Sequence, residues 1–132
     1  MIAAVILSLS LTGPGEINYD KALDALAQVE TGTRWDGHRI IGTYHRTASF
    51  SAFQITAGVL RQIGGDPTRA GSDNLYAARQ AKRWLAYLLG VSGSLRSAFA
   101  AYRLGLGHRD WPEAQAYAAR AMNLYLNNQG NK

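Results

Sequence analysis

The chain has 132 residues, of which 47% are hydrophobic, and this is enough for one domain with a single core. It contains no cysteine, which excludes disulfides, cysteine-ligated metal centres and a thiol nucleophile. Its formal net charge of +5 favours a polyanionic partner, such as nucleic acid, an anionic membrane or a cell wall.

Residues 1–13 form an apolar N-terminal segment rich in Ile, Val and Leu, which ends in a Thr-Gly-Pro-Gly turn at 12–15. The segment is shorter than the roughly 17–25 residues that span a bilayer, so we predict no stable transmembrane insertion. Without a basic start or a small-residue cleavage site it does not match a complete export signal, although its apolar length would suit one. Packing on the domain or on a partner protein is the preferred interpretation, and export is the alternative.

The first long helix is predicted to begin at a cap formed by Asn18 or Asp20 and to end near Thr31, where Gly32 is a natural stop. The helical period then disappears until residue 49, and residues 39–44 are typical of a short strand or hairpin. Later helices are predicted at residues 51–63, which Gly-Gly-Asp-Pro at 64–67 would end, and at 73–89, 94–104 and 111–127. Residues 16–127 would thus form a mainly α core of a single domain spanning 1–132, with five to six helices and one small β-hairpin.

Glu30 is the acidic residue whose position in the helical pattern of apolar residues indicates a catalytic role. It lies seven residues after Leu23 and four after Leu26, at the end of the core-facing stripe of its helix. Burial on such a face raises a glutamate's pKa, and a glycosidase needs an acid that stays protonated near neutral pH. A partly buried glutamate with a purely structural hydrogen bond is the alternative, although a carboxylate at a helix C-terminus opposes the helix dipole.

Several short motifs follow one another in a characteristic order. They are Val-Glu-Thr-Gly at 29–32, Ser-Ala-Phe-Gln-Ile at 51–55, Asp-Asn-Leu through Trp-Leu at 73–85, Ala-Tyr-Arg-Leu-Gly at 101–105, and a last helix carrying Tyr117. Over residues 20–120 this series resembles the lysozyme-like family of lytic transglycosylases and goose-type lysozymes. The resemblance implies an α+β lysozyme-like fold and cleavage of the bond between N-acetylmuramic acid and N-acetylglucosamine in peptidoglycan.

By the same resemblance, Glu30 would be the catalytic acid and the glycan strand the partner. Gln54 would hydrogen-bond the sugar near the acid, and Tyr102 would hold the glutamate or the neighbouring N-acetyl group. Further candidates for binding the substrate are Thr56, Tyr117, Ser49, Tyr44 and Trp35. Interior packing is the alternative for Tyr117, Trp35 and Tyr44, and an aromatic residue at helical spacing, such as Tyr117, is more often core.

The second catalytic group decides between two reactions. A hydrolase would use another carboxylate or an activated water, and Asp36 is the sensible candidate, although Trp-Asp-Gly at 35–37 is also typical of a turn. A transglycosylase needs no second carboxylate, because the 6-hydroxyl of the muramic acid attacks and leaves a 1,6-anhydro end. We therefore predict a lytic transglycosylase, with a hydrolytic lysozyme as the alternative.

The chain departs from the family pattern at three points, of which the first two affect substrate binding but not the acid. Ser51 replaces the glycine that opens the Gln motif, and Arg103 replaces the asparagine of the Tyr motif. Glu30 and Gln54 are 24 residues apart, which is nearer to the goose-type pattern and predicts an enlarged loop.

No cofactor or metal is predicted, because His38 and His45 are seven residues apart with no helical partner. The dispersed arginines disfavour a nucleic-acid partner. The rival to an enzyme is a non-catalytic module that assembles with virion or secretion-apparatus proteins through the apolar N-terminus. The predicted place of action is the periplasm or cell wall, for a phage-encoded endolysin or virion-associated protein, with a secreted bacterial protein as the alternative.

Overall fold

The computed structural model describes residues 17–43 and 52–127, and within these ranges the chain is mainly helical with one two-stranded antiparallel sheet. The elements are α1 (Tyr19–Thr31), β1 (Arg34–Trp35), β2 (Ile40–Ile41), α2 (Ala57–Gln62), α3 (Pro67–Ser72), α4 (Asn74–Ser92), α5 (Leu95–Leu104), a 3₁₀ turn (Leu106–His108) and α6 (Pro112–Asn127). These elements confirm the predicted fold class, which is mainly α with five to six helices and a small β-hairpin. The apolar N-terminal segment, Tyr44, Ser49 and Ser51 lie outside the described residues.

Helix α1 begins and ends where the sequence predicts. The Asn18 side chain accepts a hydrogen bond from the Lys21 backbone N–H at 3.0 Å, which caps the first turn. Gly32 ends the helix with φ 72°, a left-handed conformation that glycine adopts at little cost. Glu30 therefore occupies the last turn of α1.

The hairpin is fixed to α1 by a buried carboxylate. Trp35 pairs with Ile40, and Arg34 with Ile41, in an antiparallel ladder. The Asp24 side chain accepts a hydrogen bond from the Trp35 backbone N–H at 2.8 Å and binds the Arg34 guanidinium, also at 2.8 Å. The strand predicted at 39–44 is thus one half of the hairpin, and its partner strand lies directly after α1.

The region between the hairpin and α4 differs from the prediction. A single helix over 51–63 is wrong, because Gln54 has φ 55°, which no right-handed helix contains, and Thr56 caps α2 by accepting from the Val59 N–H at 3.2 Å. Pro67 does not simply terminate a helix but begins α3, since proline suits a first helical turn and Asp66 caps it. The Gly-Gly-Asp-Pro sequence therefore follows the end of α2 and also begins α3.

Helix α4 extends past its predicted stop. It continues through Gly90 to Ser92 and ends at Gly93, which has φ 88°. A glycine inside a helix costs only about 1 kcal/mol relative to alanine, and the buried face of α4 outweighs this. Within the described residues, no helix is both long enough and apolar enough to cross a membrane.

Helix α6 packs on both α1 and α5, and α5 packs in turn on α4. The contacting faces of α5 and α6 consist largely of buried alanines, which let the helices approach closely; these are Ala98, Ala100, Ala101, Ala114, Ala118 and Ala121. Larger side chains such as Phe53, Phe99 and Leu85 fill the rest of the core. This packing places the C-terminal end of α1 beside the middle of α6.

Candidate active site

Glu30 contacts a tyrosine from the opposite end of the chain. The Tyr117 hydroxyl donates a hydrogen bond to Glu30 Oε2 at 2.6 Å, across 87 residues of sequence. Burial is the main cause that raises the pKa of Tyr117, so the phenol remains a neutral donor. The other carboxyl oxygen, Oε1, makes no hydrogen bond within the part of the chain that the structure describes.

A pocket of about 400 Å³ lies beside this pair. The last turn of α1, the C-terminal turn of α5 and one face of α6 form its walls. The lining residues are Val29, Glu30, Arg103, Glu113, Ala116, Tyr117 and Arg120. Because the half-buried Glu30 lines this open pocket, a ligand that enters the pocket can contact its carboxyl group directly.

Opposing effects determine the acidity of Glu30. Burial raises its pKa above the ordinary glutamate value, whereas the hydrogen bond from Tyr117 and the positive charges of Arg103 and Arg120 lower it. The effect of burial is larger, so the neutral acid persists to higher pH than in an exposed glutamate. This is the protonation state that a general acid needs.

Two arginines and a second carboxylate surround the acid. Arg103 binds Glu113 through Nη2 at 2.8 Å and Nε at 3.2 Å, both to Oε2. Arg120 lies on the exposed side of α6 and makes no ion pair with any described residue. The pocket therefore contains both signs of charge, with one arginine already paired.

The structure brings together three of the five motifs that carry the resemblance, those at 29–32, 51–55 and 101–105. The Thr31 hydroxyl, next to Glu30, donates to the Ala52 carbonyl oxygen at 3.1 Å, and the Tyr102 hydroxyl donates to the Phe53 carbonyl oxygen at 2.7 Å. These bonds fix the turn in which Gln54 adopts its unusual positive φ. Gln54 is thereby held near the C-terminal end of α1.

Tyr102 lies close enough to Glu30 for the glutamate's charge to add to burial in raising the pKa of its phenol. Its hydroxyl, however, bonds the Phe53 backbone, and the hydrogen bond to the glutamate comes from Tyr117. The two predicted tyrosines thus have different contacts: Tyr117 binds the acid and Tyr102 supports the Gln54 turn.

Trp35 does not present its ring as a platform for sugars. It is 5% exposed, its indole N–H donates to Asp20 Oδ1 at 3.0 Å, and its ring meets Phe53 edge-on at 5.7 Å between centroids. The interpretation of Trp35 as a sugar-stacking residue is therefore wrong, and the alternative of interior packing is correct. The physical reason is the hairpin's packing against α1, which covers the indole.

Asp36 and Thr56 have local contacts. Asp36 is exposed and accepts hydrogen bonds from the backbone N–H groups of Arg39 at 2.9 Å and His38 at 2.8 Å, which lower its pKa. Thr56 caps α2. Neither residue lines the pocket beside Glu30, so a second carboxylate in that pocket would be Glu113.

The sequence alone assigned no catalytic or binding role to three charged residues that line the pocket, namely Arg103, Glu113 and Arg120. Glu113, Tyr117 and Arg120 are spaced by four and three residues and so share one helical face. Placing Tyr117 at the site would have predicted its two neighbours on that face. In residues 17–43 and 52–127, no three His, Asp or Glu side chains form a group that could bind a metal ion.

Comparison with known proteins adds no relative. No protein-family model, no curated protein and no solved structure matches this chain. The function is therefore inferred from the geometry around Glu30 and from the order of the sequence motifs.

Proposed function

We propose that this chain is a lytic transglycosylase, which cleaves the β-1,4 bond between N-acetylmuramic acid and N-acetylglucosamine in peptidoglycan. The observation that carries the proposal is the state of Glu30: a carboxyl group with a raised pKa, held by Tyr117 through one oxygen, on the wall of an open pocket. A purely structural glutamate would not need access to a pocket. The motif order around Gln54 and Tyr102 also supports the proposal.

In the first step the neutral Glu30 donates its proton to the glycosidic oxygen. The bond between that oxygen and C1 of the muramic acid breaks, and an oxocarbenium-like transition state forms. The proton would come from Oε1, since Oε2 accepts from Tyr117. The Tyr117 hydrogen bond strengthens as Glu30 becomes a carboxylate, so it stabilises the charge that develops in this step.

In the second step the muramic acid's own 6-hydroxyl attacks C1. A bond forms between O6 and C1, and the hydroxyl proton passes to the Glu30 carboxylate, which returns to its neutral state. No water is consumed, and the product ends in a 1,6-anhydro sugar. A single carboxyl group therefore suffices for the whole cycle.

Hydrolysis is the second candidate, and Glu113 is the observation that favours it. A hydrolase would need a carboxylate or a bound water on the other side of the scissile bond. Glu113 lines the same pocket as Glu30, but Arg103 occupies one of its oxygens. Transglycosylation remains the preferred reaction, because it requires no second carboxyl group.

Digestion of purified peptidoglycan tests both candidates. Wild type is expected to release 1,6-anhydro fragments detectable by mass spectrometry, whereas Glu30→Gln releases none above background. Asp110→Asn is the matched control, because it makes the same change at an exposed acid outside the pocket. Reducing ends in place of anhydro ends would identify a hydrolase, and equal release by wild type and Glu30→Gln would contradict the proposal.

We further propose the bacterial periplasm or cell wall as the place of action, in the setting of phage lysis, of a virion-borne wall-cleaving protein or of a secreted bacterial enzyme. In this setting the basic charge of the chain would favour the anionic wall. A binding assay with intact sacculi at increasing salt concentration measures this electrostatic contribution.

A further inference from the structure

The charges around the pocket do not balance when Glu30 is ready to react. Arg103 and Glu113 form an ion pair and cancel each other's charge. Glu30 is neutral in its proton-donating form, so the charge of Arg120 has no counterpart among the described lining residues. The reactive pocket therefore carries one excess positive charge.

Arg120 is placed to act on whatever occupies the pocket. Its positive charge is close enough to lower the pKa of Glu30, and its side chain is exposed. A guanidinium offers a planar pair of donors that matches the two oxygens of a carboxylate. Arg103 adds a second guanidinium on the neighbouring wall, with 44% of its side chain exposed.

We propose that Arg120, supported by Arg103, forms a binding site for a carboxylate on the branch that distinguishes muramic acid from N-acetylglucosamine. This inference rests on the proposed function, because it assigns a subsite next to the proposed acid. The carboxylate could be that of the lactyl group itself or one in the peptide attached to it. Both sources share the chemistry that a guanidinium recognises.

A carboxylate bound at this site would also help the acid. Arg120 disfavours the neutral form of Glu30, and an anion seated on Arg120 would offset that effect. By thermodynamic linkage, protonation of Glu30 would in turn favour binding of the anion. The groups that act on the pKa of Glu30 in this equilibrium are Arg103 of α5, with Arg120 and Tyr117 of α6. Glu113 of α6 lines the same pocket and is paired with Arg103. An anionic substrate would thus increase the fraction of enzyme that can donate a proton.

The test compares Arg120→Gln with Arg96→Gln, a matched change at an exposed arginine of α5 that does not line the pocket. Each variant is assayed on glycan strands of equal length that carry stem peptides, amidated stem peptides or a free lactyl group, and on an uncharged N-acetylglucosamine oligomer. Arg120→Gln is expected to raise KM about tenfold or more on strands with the recognised carboxylate, relative to its effect on strands that lack it. The strand that shows the increase identifies the carboxylate.

Binding without cleavage separates this inference from the proposed function. Calorimetry with the same strands is carried out on Glu30→Gln and on Glu30→Gln with Arg120→Gln, so that the result does not depend on turnover. Weaker binding of charged strands by the double variant supports the site even if wild type cleaves nothing. Equal affinities of the two variants for every strand, or equal KM increases for Arg120→Gln and Arg96→Gln, would overturn the inference whether or not the chain is an enzyme.

Discussion

Helix α1 carries two partly or fully buried carboxyl groups, six residues apart, with contrasting surroundings. Asp24 is 6% exposed and both its oxygens accept from the Arg34 guanidinium, while Oδ1 also accepts from the Trp35 backbone N–H. Glu30 has one side-chain hydrogen bond to the described residues, a neighbouring pocket and a raised pKa. Burial alone therefore does not distinguish a structural carboxyl group from a candidate catalytic one. The difference lies in whether the carboxyl group is fully occupied by partners or retains a free side towards a ligand.

The largest expected effect comes from removing the proton of Glu30. Glu30→Gln should lower kcat on peptidoglycan by about 10²- to 10⁴-fold, the usual contribution of a general acid, while the amide oxygen still accepts from Tyr117. Initial rates of fragment release measure the loss, and circular dichroism checks that the fold is intact. A variant that retains more than a tenth of wild-type activity would remove Glu30 from the mechanism.

The converse change is Asp24→Asn, which should affect stability. The asparagine amide has only one oxygen and no negative charge, so it cannot accept from Arg34 through two atoms. The free energy of unfolding should therefore fall by about 2 kcal/mol, while kcat stays near wild type under conditions in which the variant is folded. Urea denaturation measures the change, with Asp110→Asn expected to stay within about 0.5 kcal/mol of wild type. Loss of kcat in a folded Asp24→Asn protein would contradict the assignment of a purely structural role to Asp24.

A smaller effect is expected when the partner of Glu30 is changed. Tyr117→Phe removes a hydrogen bond that lowers the pKa of Glu30, so this pKa should rise further and the basic limb of the kcat/KM profile should move to higher pH. The rate itself should fall by about tenfold, since the developing carboxylate loses one donor. Tyr125→Phe is the control, because that tyrosine of α6 accepts from the Asn18 backbone N–H instead. An unshifted profile for Tyr117→Phe would show that the Tyr117 bond does not act on the acid.

The smallest expected effect concerns stability and pH. The folded-state pKa of Glu30 lies above its unfolded value, so the native state binds the proton more tightly and stability falls as pH rises between the two pKa values. Glu30→Gln removes this dependence, and its advantage in unfolding free energy over wild type should grow from acidic to neutral pH. Urea denaturation of both proteins across this range gives the difference. A constant difference at all pH values would show that the pKa of Glu30 does not change on folding.

Helices that depend on local signals were predictable from the sequence. The caps and glycine stops of α1 and α5 were sufficient, because each acts within a few residues of the helix end. Helix α3 was not recognised, since the same Gly-Gly-Asp-Pro sequence serves two helices. The N-terminal strand of the hairpin depends on the buried contact with Asp24, which local pattern does not encode.

In the candidate site, too, some residues could be predicted from local sequence and others depend on tertiary packing. Glu30 was predicted because the apolar stripe before it lies on its own helix. Arg103, Glu113 and Arg120 join it only through the packing of α6 on α1 and α5, which no single-helix pattern reveals. Trp35 was placed incorrectly for the same reason, because the contact that covers it comes from another element.

The bond between Tyr117 and Glu30 also determines when the site exists. It joins the first described helix to the last across 87 residues, so the acid has its donor only after α6 has docked on α1. During synthesis on the ribosome this contact cannot form before α6 has emerged, and a chain truncated before α6 lacks most of the pocket wall. The proposed activity would therefore report the docking of α6 on α1 more directly than helix content does.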